Sequence, residues 1–83
     1  MTVRAKFKVH RISRHMSGRW DGSKTVSEEV QTIHLYPVGV GTENREFFAN
    51  TPSGSIELGT VNKAAADQFE LDGEYYIDFT RAE

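Results

Sequence analysis

The chain contains no cysteine, so disulfides and thiolate metal sites are both excluded. It has no apolar run approaching the roughly 20 residues that a membrane-spanning helix requires. Its first residues, Met1 to Lys6, carry charge at alternate positions and lack the apolar stretch of a secretory signal. A soluble, cytoplasmic protein with no membrane partner is the expectation. Length is also short: 83 residues make one domain, 1–83, with 20 Val, Ile, Leu, Met and Phe residues beyond Met1 to form a core. Apolar burial at roughly 25 cal/mol per Å², set against roughly 1.5 kcal/mol of ordering cost per residue, comes out near zero at this size. Stability is therefore expected from a closed barrel, a partner or self-association.

Charge of one sign is scarce overall, with a formal net charge of −2, but the balance hides an asymmetry. Residues 1–24 hold seven basic side chains (Arg4, Lys6, Lys8, Arg11, Arg14, Arg19 and Lys24) against one acid, Asp21. Residues 25–83 hold three basic side chains against eleven acids. Two explanations stand beside each other. The basic N-terminal strand lies against acidic strands of the same sheet and forms cross-strand ion pairs, or it forms a basic face for an anionic partner.

Val3, Ala5, Phe7 and Val9 alternate with Arg4, Lys6, Lys8 and His10, which predicts a half-buried strand. Ile12 falls three residues after Val9, the parity slip of a β-bulge. Residues 13–25, with two glycines and three serines, read as a loop. Thr25 to Tyr36 reads as a second strand, which Pro37 should stop. A loop follows over 38–44, then a weakly signalled short strand over 45–51 with Phe47 and Phe48, and a turn at Thr51-Pro52-Ser53-Gly54. Ser55 to Val61 reads as a strand, and Asn62 as the N-cap of a helix over 63–69 pinned by Phe69 and Leu71. Asp72-Gly73 turns the chain into a last strand over 74–80, with Tyr75, Ile77 and Phe79 on one face. The expected fold is mainly β: a small, bent, five-stranded barrel, Src-homology-like or OB-fold-like, with one short helix before the last strand.

Catalytic and metal signals are weak. His10, His15 and His34 match no metal-ligand spacing, and no serine sits in a Gly-x-Ser-x-Gly elbow. Gly39-Val40-Gly41-Thr42-Glu43-Asn44 lacks the residues of a phosphate loop. Glu70, Asp72, Glu74 and Asp78 fall in a turn and on an outer strand face, so they read as solvated surface. No cofactor and no enzymatic activity are expected. The remaining candidate is a binding surface of Arg4, Lys6, Lys8, Arg11, Arg14, Arg19 and Trp20. Cationic groups suit phosphates and an aromatic face suits a stacked base.

Several stretches carry a resemblance. They are Arg4 to Val9, Glu43-Asn44 with Phe47-Phe48, Thr51-Pro52-Ser53-Gly54-Ser55-Ile56-Glu57-Leu58, and Asn62, Ala65, Ala66, Phe69 and Gly73 to Thr80. Together they resemble a group of small proteins encoded by tailed bacteriophages. The resemblance implies a phage protein acting in the cytoplasm of an infected bacterial host, or in the virion. Three roles fit such a small, self-associating, non-catalytic chain, in this order: an anti-defence protein that sequesters a nucleotide signal, a capsid decoration protein, and a single-stranded nucleic-acid binder.

Overall fold

A computed structural model describes residues 3–39, 41, 44–45, 47 and 53–82. The chain runs β1 (Val3–Trp20), β2 (Thr25–Pro37), β3 (Ile56–Thr60), α1 (Lys63–Ala66) and β4 (Glu74–Phe79). The four strands form one antiparallel sheet in the order β3-β2-β1-β4. β3 and β4 stand at opposite edges, so among the described residues the sheet is open, in contrast to the expected barrel. The strand expected over 45–51 is not seen: Arg45 and Phe47, with Asn44 before them, are helical, and the rest of that stretch lies outside the described residues, as do Thr51 and Pro52 of the expected turn.

The period-2 pattern of the first strand behaves as expected up to its bulge. Ala5, Phe7 and Val9 are buried with Ile33 and Leu35 of β2, and Ile12, Ile56, Phe69, Tyr75 and Ile77 pack against them. Register slips by one between Val9, opposite Leu35, and Arg11, opposite His34. The extra residue is His10. Beyond it Ile12 returns to the core side, opposite Ile33.

Residues 13–20 continue β1 instead of looping. Trp20 pairs with Thr25, and only residues 21–24 turn. Asp21 fastens that turn: its Oδ1 accepts from the Ser23 N–H at 3.0 Å, the Ser23 hydroxyl at 3.1 Å and the Lys24 N–H at 3.0 Å. Gly22 takes φ +101°, a left-handed value that a side chain would resist. No apolar alternation marks 13–20 because none of the described residues forms a core layer over it; cross-strand pairing with β2 keeps it extended, with Arg19 paired to Glu28.

Pro37 ends β2; just past it the Val38 N–H still donates to the Lys6 carbonyl at 3.0 Å, but the Lys6 N–H and the Val38 carbonyl do not pair directly. Asn44, 2% exposed, fills the gap with its amide. Its Oδ1 accepts from the Lys6 N–H, and its Nδ2 donates to the carbonyls of Lys6 and Val38. One side chain thus bridges the one ladder bond that Lys6 and Val38 do not make directly.

Asn62 caps α1 as expected, accepting from the Ala65 N–H at 3.1 Å. The helix is a single turn, shorter than the expected 63–69. Phe69 packs on the core, whereas Leu71 is exposed. Tyr75 clamps the return: its hydroxyl accepts from the Glu70 N–H at 2.9 Å and donates to the Gln68 carbonyl at 3.0 Å. A Cβ on Gly73 would lie 3.0 Å from both the Glu70 carbonyl oxygen and the Tyr75 ring, so a side chain there would force these neighbours to shift. The segment before β4 also lies along β1, with Val9 N–H donating to the Gly73 carbonyl at 3.0 Å and Asp72 N–H to the Val9 carbonyl at 2.9 Å.

Candidate functional site on the outer sheet face

The bulge decides which side chains share a face. Before it, Arg4, Lys6 and Lys8 point away from the core; after it, Arg11, Ser13 and Arg19 do, because parity has slipped by one. Arg14 and Trp20 fall on the other side, in line with Ile12. The seven basic and aromatic candidates therefore divide five to two. Trp20 is on the wrong face to stack a base held by the lysines. The bulge signal at Ile12 was legible in the sequence, but its consequence for Arg14 and Trp20 depended on residues 13–20 being strand.

The outer-face cations are cross-strand partners of the acidic C-terminal residues. Arg4 Nε meets Asp78 at 2.6 Å, Lys6 Nζ meets Glu74 at 3.6 Å, and Lys8 Nζ meets Asp72 at 3.7 Å. Arg19 pairs with Glu28 inside the β1–β2 hairpin. The Arg4 guanidinium holds the Asp78 carboxyl below its ordinary 3.8. Four of the seven N-terminal basic side chains are thus paired with acids, three of them with C-terminal ones. Such solvent-exposed pairs contribute little to stability, so their cations stay available to a competing anion.

Aromatic rings sit among these cations. The Arg4 guanidinium lies 4.7 Å and Lys6 Nζ 5.6 Å from the centroid of Tyr76. At the bulge, His10 stacks on Tyr36 with centroids 3.8 Å apart and an interplanar angle of 15°, and stands edge-on to His34 at 6.0 Å. Tyr36 and Tyr76 are each 52% exposed.

Below the stack, His34 is buried and fully engaged. Its Nδ1 lies 3.2 Å from Glu57 Oε1 of β3; its Nε2 lies 3.2 Å from Ser13 Oγ and 3.3 Å from Arg11 Nη2. A carboxylate can only accept and a guanidinium can only donate, so the tautomer with its proton on Nδ1 satisfies both neighbours. Ser13, His34 and Glu57 have the spacing of a nucleophile, a base and an orienting acid. Arg11 donates into the same Nε2 lone pair that would have to take the Ser13 proton, which opposes activation of the hydroxyl.

His10, Arg11, His34, Leu35, Tyr36, Ser55, Ile56 and Glu57 line a pocket of about 130 Å³. Dedicated small-molecule sites run to roughly 300–1,000 Å³, so this one takes a ring edge or a single small group, with the remainder of a ligand on the open sheet. Sequence reasoning missed this cluster. His10 and His34 are far apart in the chain, and the bulge together with β2–β3 pairing is what joins them. No group of His, Asp and Glu side chains among the described residues is placed to hold a metal ion, and no helix among them is long and apolar enough to cross a membrane. The chain matches no protein-family model, no curated protein and no solved structure.

Proposed function

We propose that the protein is a non-catalytic binder of an anionic ligand with a planar base, a nucleotide, on the outer face of its sheet. The observation that carries this reading is the exposed Tyr36–His10 stack above Arg11, His34 and Glu57, adjoining the row Lys8, Lys6, Arg4. A base can stack on Tyr36 while its edge meets a donor, Arg11, and an acceptor, Glu57. Phosphates then reach the lysines, displacing Asp72 and Glu74 from exposed ion pairs that cost little to break. The resemblance to small tailed-phage proteins supplies a setting: sequestration of a nucleotide signal in the cytoplasm of an infected bacterium, as an anti-defence protein. Capsid decoration and single-strand binding are the other roles that fit the sequence. The sheet face bears on the last of these, since Tyr36 and Tyr76 flank the cations as stacking platforms do.

The test is calorimetric titration with a panel of linear and cyclic nucleotides and a short single-stranded oligonucleotide at low salt. Tyr36→Ala should weaken binding by about 1–3 kcal/mol, the usual worth of one stacked base. Lys8→Glu should weaken it and lower its salt dependence, and Trp20→Ala should leave it unchanged. Wild-type protein that takes none of these ligands refutes the reading, as does loss of binding in Trp20→Ala alone. A preference for the oligonucleotide over every mononucleotide moves the role to single-strand binding.

A further inference from the structure

The hairpin beyond Gln31, residues 15–30, has only two strands, because β4 stops pairing at Lys8 and β3 at Gln31. Its two faces differ. On the outer face Val26, Glu28 and Val30 are half-buried beneath one another's neighbours, with Arg19 paired to Glu28. On the core-side face Arg14, Met16, Gly18 and Trp20 of β1, and Thr25, Ser27 and Glu29 of β2, are all exposed, Met16 at 64% and Trp20 at 67%. This face continues the plane that buries Val9 and Leu35, but none of the described residues covers it.

We infer that the core-side face of this hairpin is the surface on which a second copy of the chain docks. The exposed area of the chain leaves room for such a contact. The chain exposes 6280 Å², against about 5,000 Å² for a compact monomer of 9.4 kDa. The excess is larger than the roughly 800 Å² that each partner contributes to a standard interface. The radius of gyration, 16.0 Å, exceeds the about 12 Å of a compact domain of this length for the same reason.

Charge points to a second copy. A two-fold interface must be complementary to itself. This face carries one cation, Arg14, and one anion, Glu29, neither of which has an ion-pair partner among the described residues. They flank Met16, which lies opposite Glu29. Two copies brought together about a two-fold can pair Arg14 of each with Glu29 of the other and enclose Met16 and Trp20 between them. A two-stranded ribbon is marginal in water by itself, and such docking supplies its missing layer. The inference stands apart from nucleotide binding, which uses the opposite face.

Sedimentation equilibrium on the full chain, with fluorescence of its single tryptophan followed over the same dilution series, tests it. The expected result is a monomer–dimer equilibrium in which Trp20 emission moves to shorter wavelength as dimer forms. Arg14→Glu should weaken association by about ten- to hundredfold, the scale of one interfacial ion contact, and Arg14→Glu with Glu29→Arg should restore it. Trp20→Ala should be monomeric, and circular dichroism shows whether each variant keeps its sheet. A wild-type chain that stays monomeric throughout overturns the inference. So does a dimer whose formation leaves Trp20 emission unmoved, or a folded double variant that associates no better than Arg14→Glu.

Discussion

The two halves of the β1–β2 pair are made by the same strands and differ in nearly everything else. The half from Phe7 to Ile12 with Ile33 to Pro37 has β3 beside β2 up to Leu35 and β4, continued by Asp72 and Gly73, beside β1 up to Val9; there Phe7, Val9, Ile33 and Leu35 are buried and Ile12 packs against them. The half from His15 to Val30 has neither among the described residues, and its core-side positions, Met16, Gly18, Trp20, Thr25, Ser27 and Glu29, are all exposed. The difference separates two things that a strand needs. Cross-strand hydrogen bonding and a turn give a ribbon its extended shape but only marginal stability, whereas hydrophobic alternation appears only where there is a core to face. Stability resides in the first half, and the second is left as surface.

The largest expected effect is a pair of truncations, one in each half. Leu35→Ala removes a fully buried side chain and should cost about 2–5 kcal/mol. A core this small supplies about 3–5 kcal/mol in total, so urea or thermal unfolding should find the variant mostly unfolded. Met16→Ala, measured at a dilution where the chain is monomeric, should stay within about 0.5 kcal/mol of wild type. Comparable losses at the two positions would mean that the ribbon is covered within the monomer and that the contrast between the halves is wrong.

A smaller effect tests how the first half is finished. Asn44→Ala leaves the Lys6 N–H without its acceptor and the Val38 carbonyl without its donor, which should cost about 1–3 kcal/mol in the same unfolding measurement. Asn44→Asp is nearly isosteric and should be worse. It sets a carboxylate oxygen against the carbonyls of Lys6 and Val38, where Nδ2 had donated to both. An aspartate variant as stable as wild type would show that the amide does not bridge the end of β2.

What was legible in the sequence follows the same division. Alternation from Val3 to Val9, the slip at Ile12, the stop at Pro37, the Asn62 cap and the face shared by Tyr75, Ile77 and Phe79 are all signals that a core or a chain reversal imposes on local residues. The extended ribbon was not legible, since residues 13–20 face water on one side and half-exposed neighbours on the other and carry no period. Asn44 was not legible as a structural residue because its role is to hold the backbone of Lys6, thirty-eight residues away in the chain. The outer-face cluster was legible only in part. The basic row could be read from its spacing, but the meeting of His10, His34 and Glu57 required the register of three strands.

The smallest effects distinguish the two halves by pH and salt. Asp21 in the hairpin turn and Asp78 in the four-stranded part both have carboxyls held below the ordinary 3.8. For Asp21 the main cause is the Lys24 N–H, followed by the Ser23 N–H; for Asp78 it is the side-chain hydrogen bond from Arg4. A folded-state pKa below the unfolded value means that the stabilisation is present above the unfolded pKa and lost as pH falls through the folded one. Neither group should therefore affect stability from about pH 5 to 8, and both should weaken it only below about pH 4. Carboxyl carbon chemical shifts, titrated at low and high salt, separate them. Salt screens the exposed Arg4–Asp78 pair and should move Asp78 back toward 3.8. Asp21, held by backbone hydrogen bonds within its own turn, should barely respond. An Asp21 that titrates at the ordinary value would show that the turn is not formed in solution, and with it would go the register that places Trp20 on the core side of the ribbon and Arg19 on the outer face.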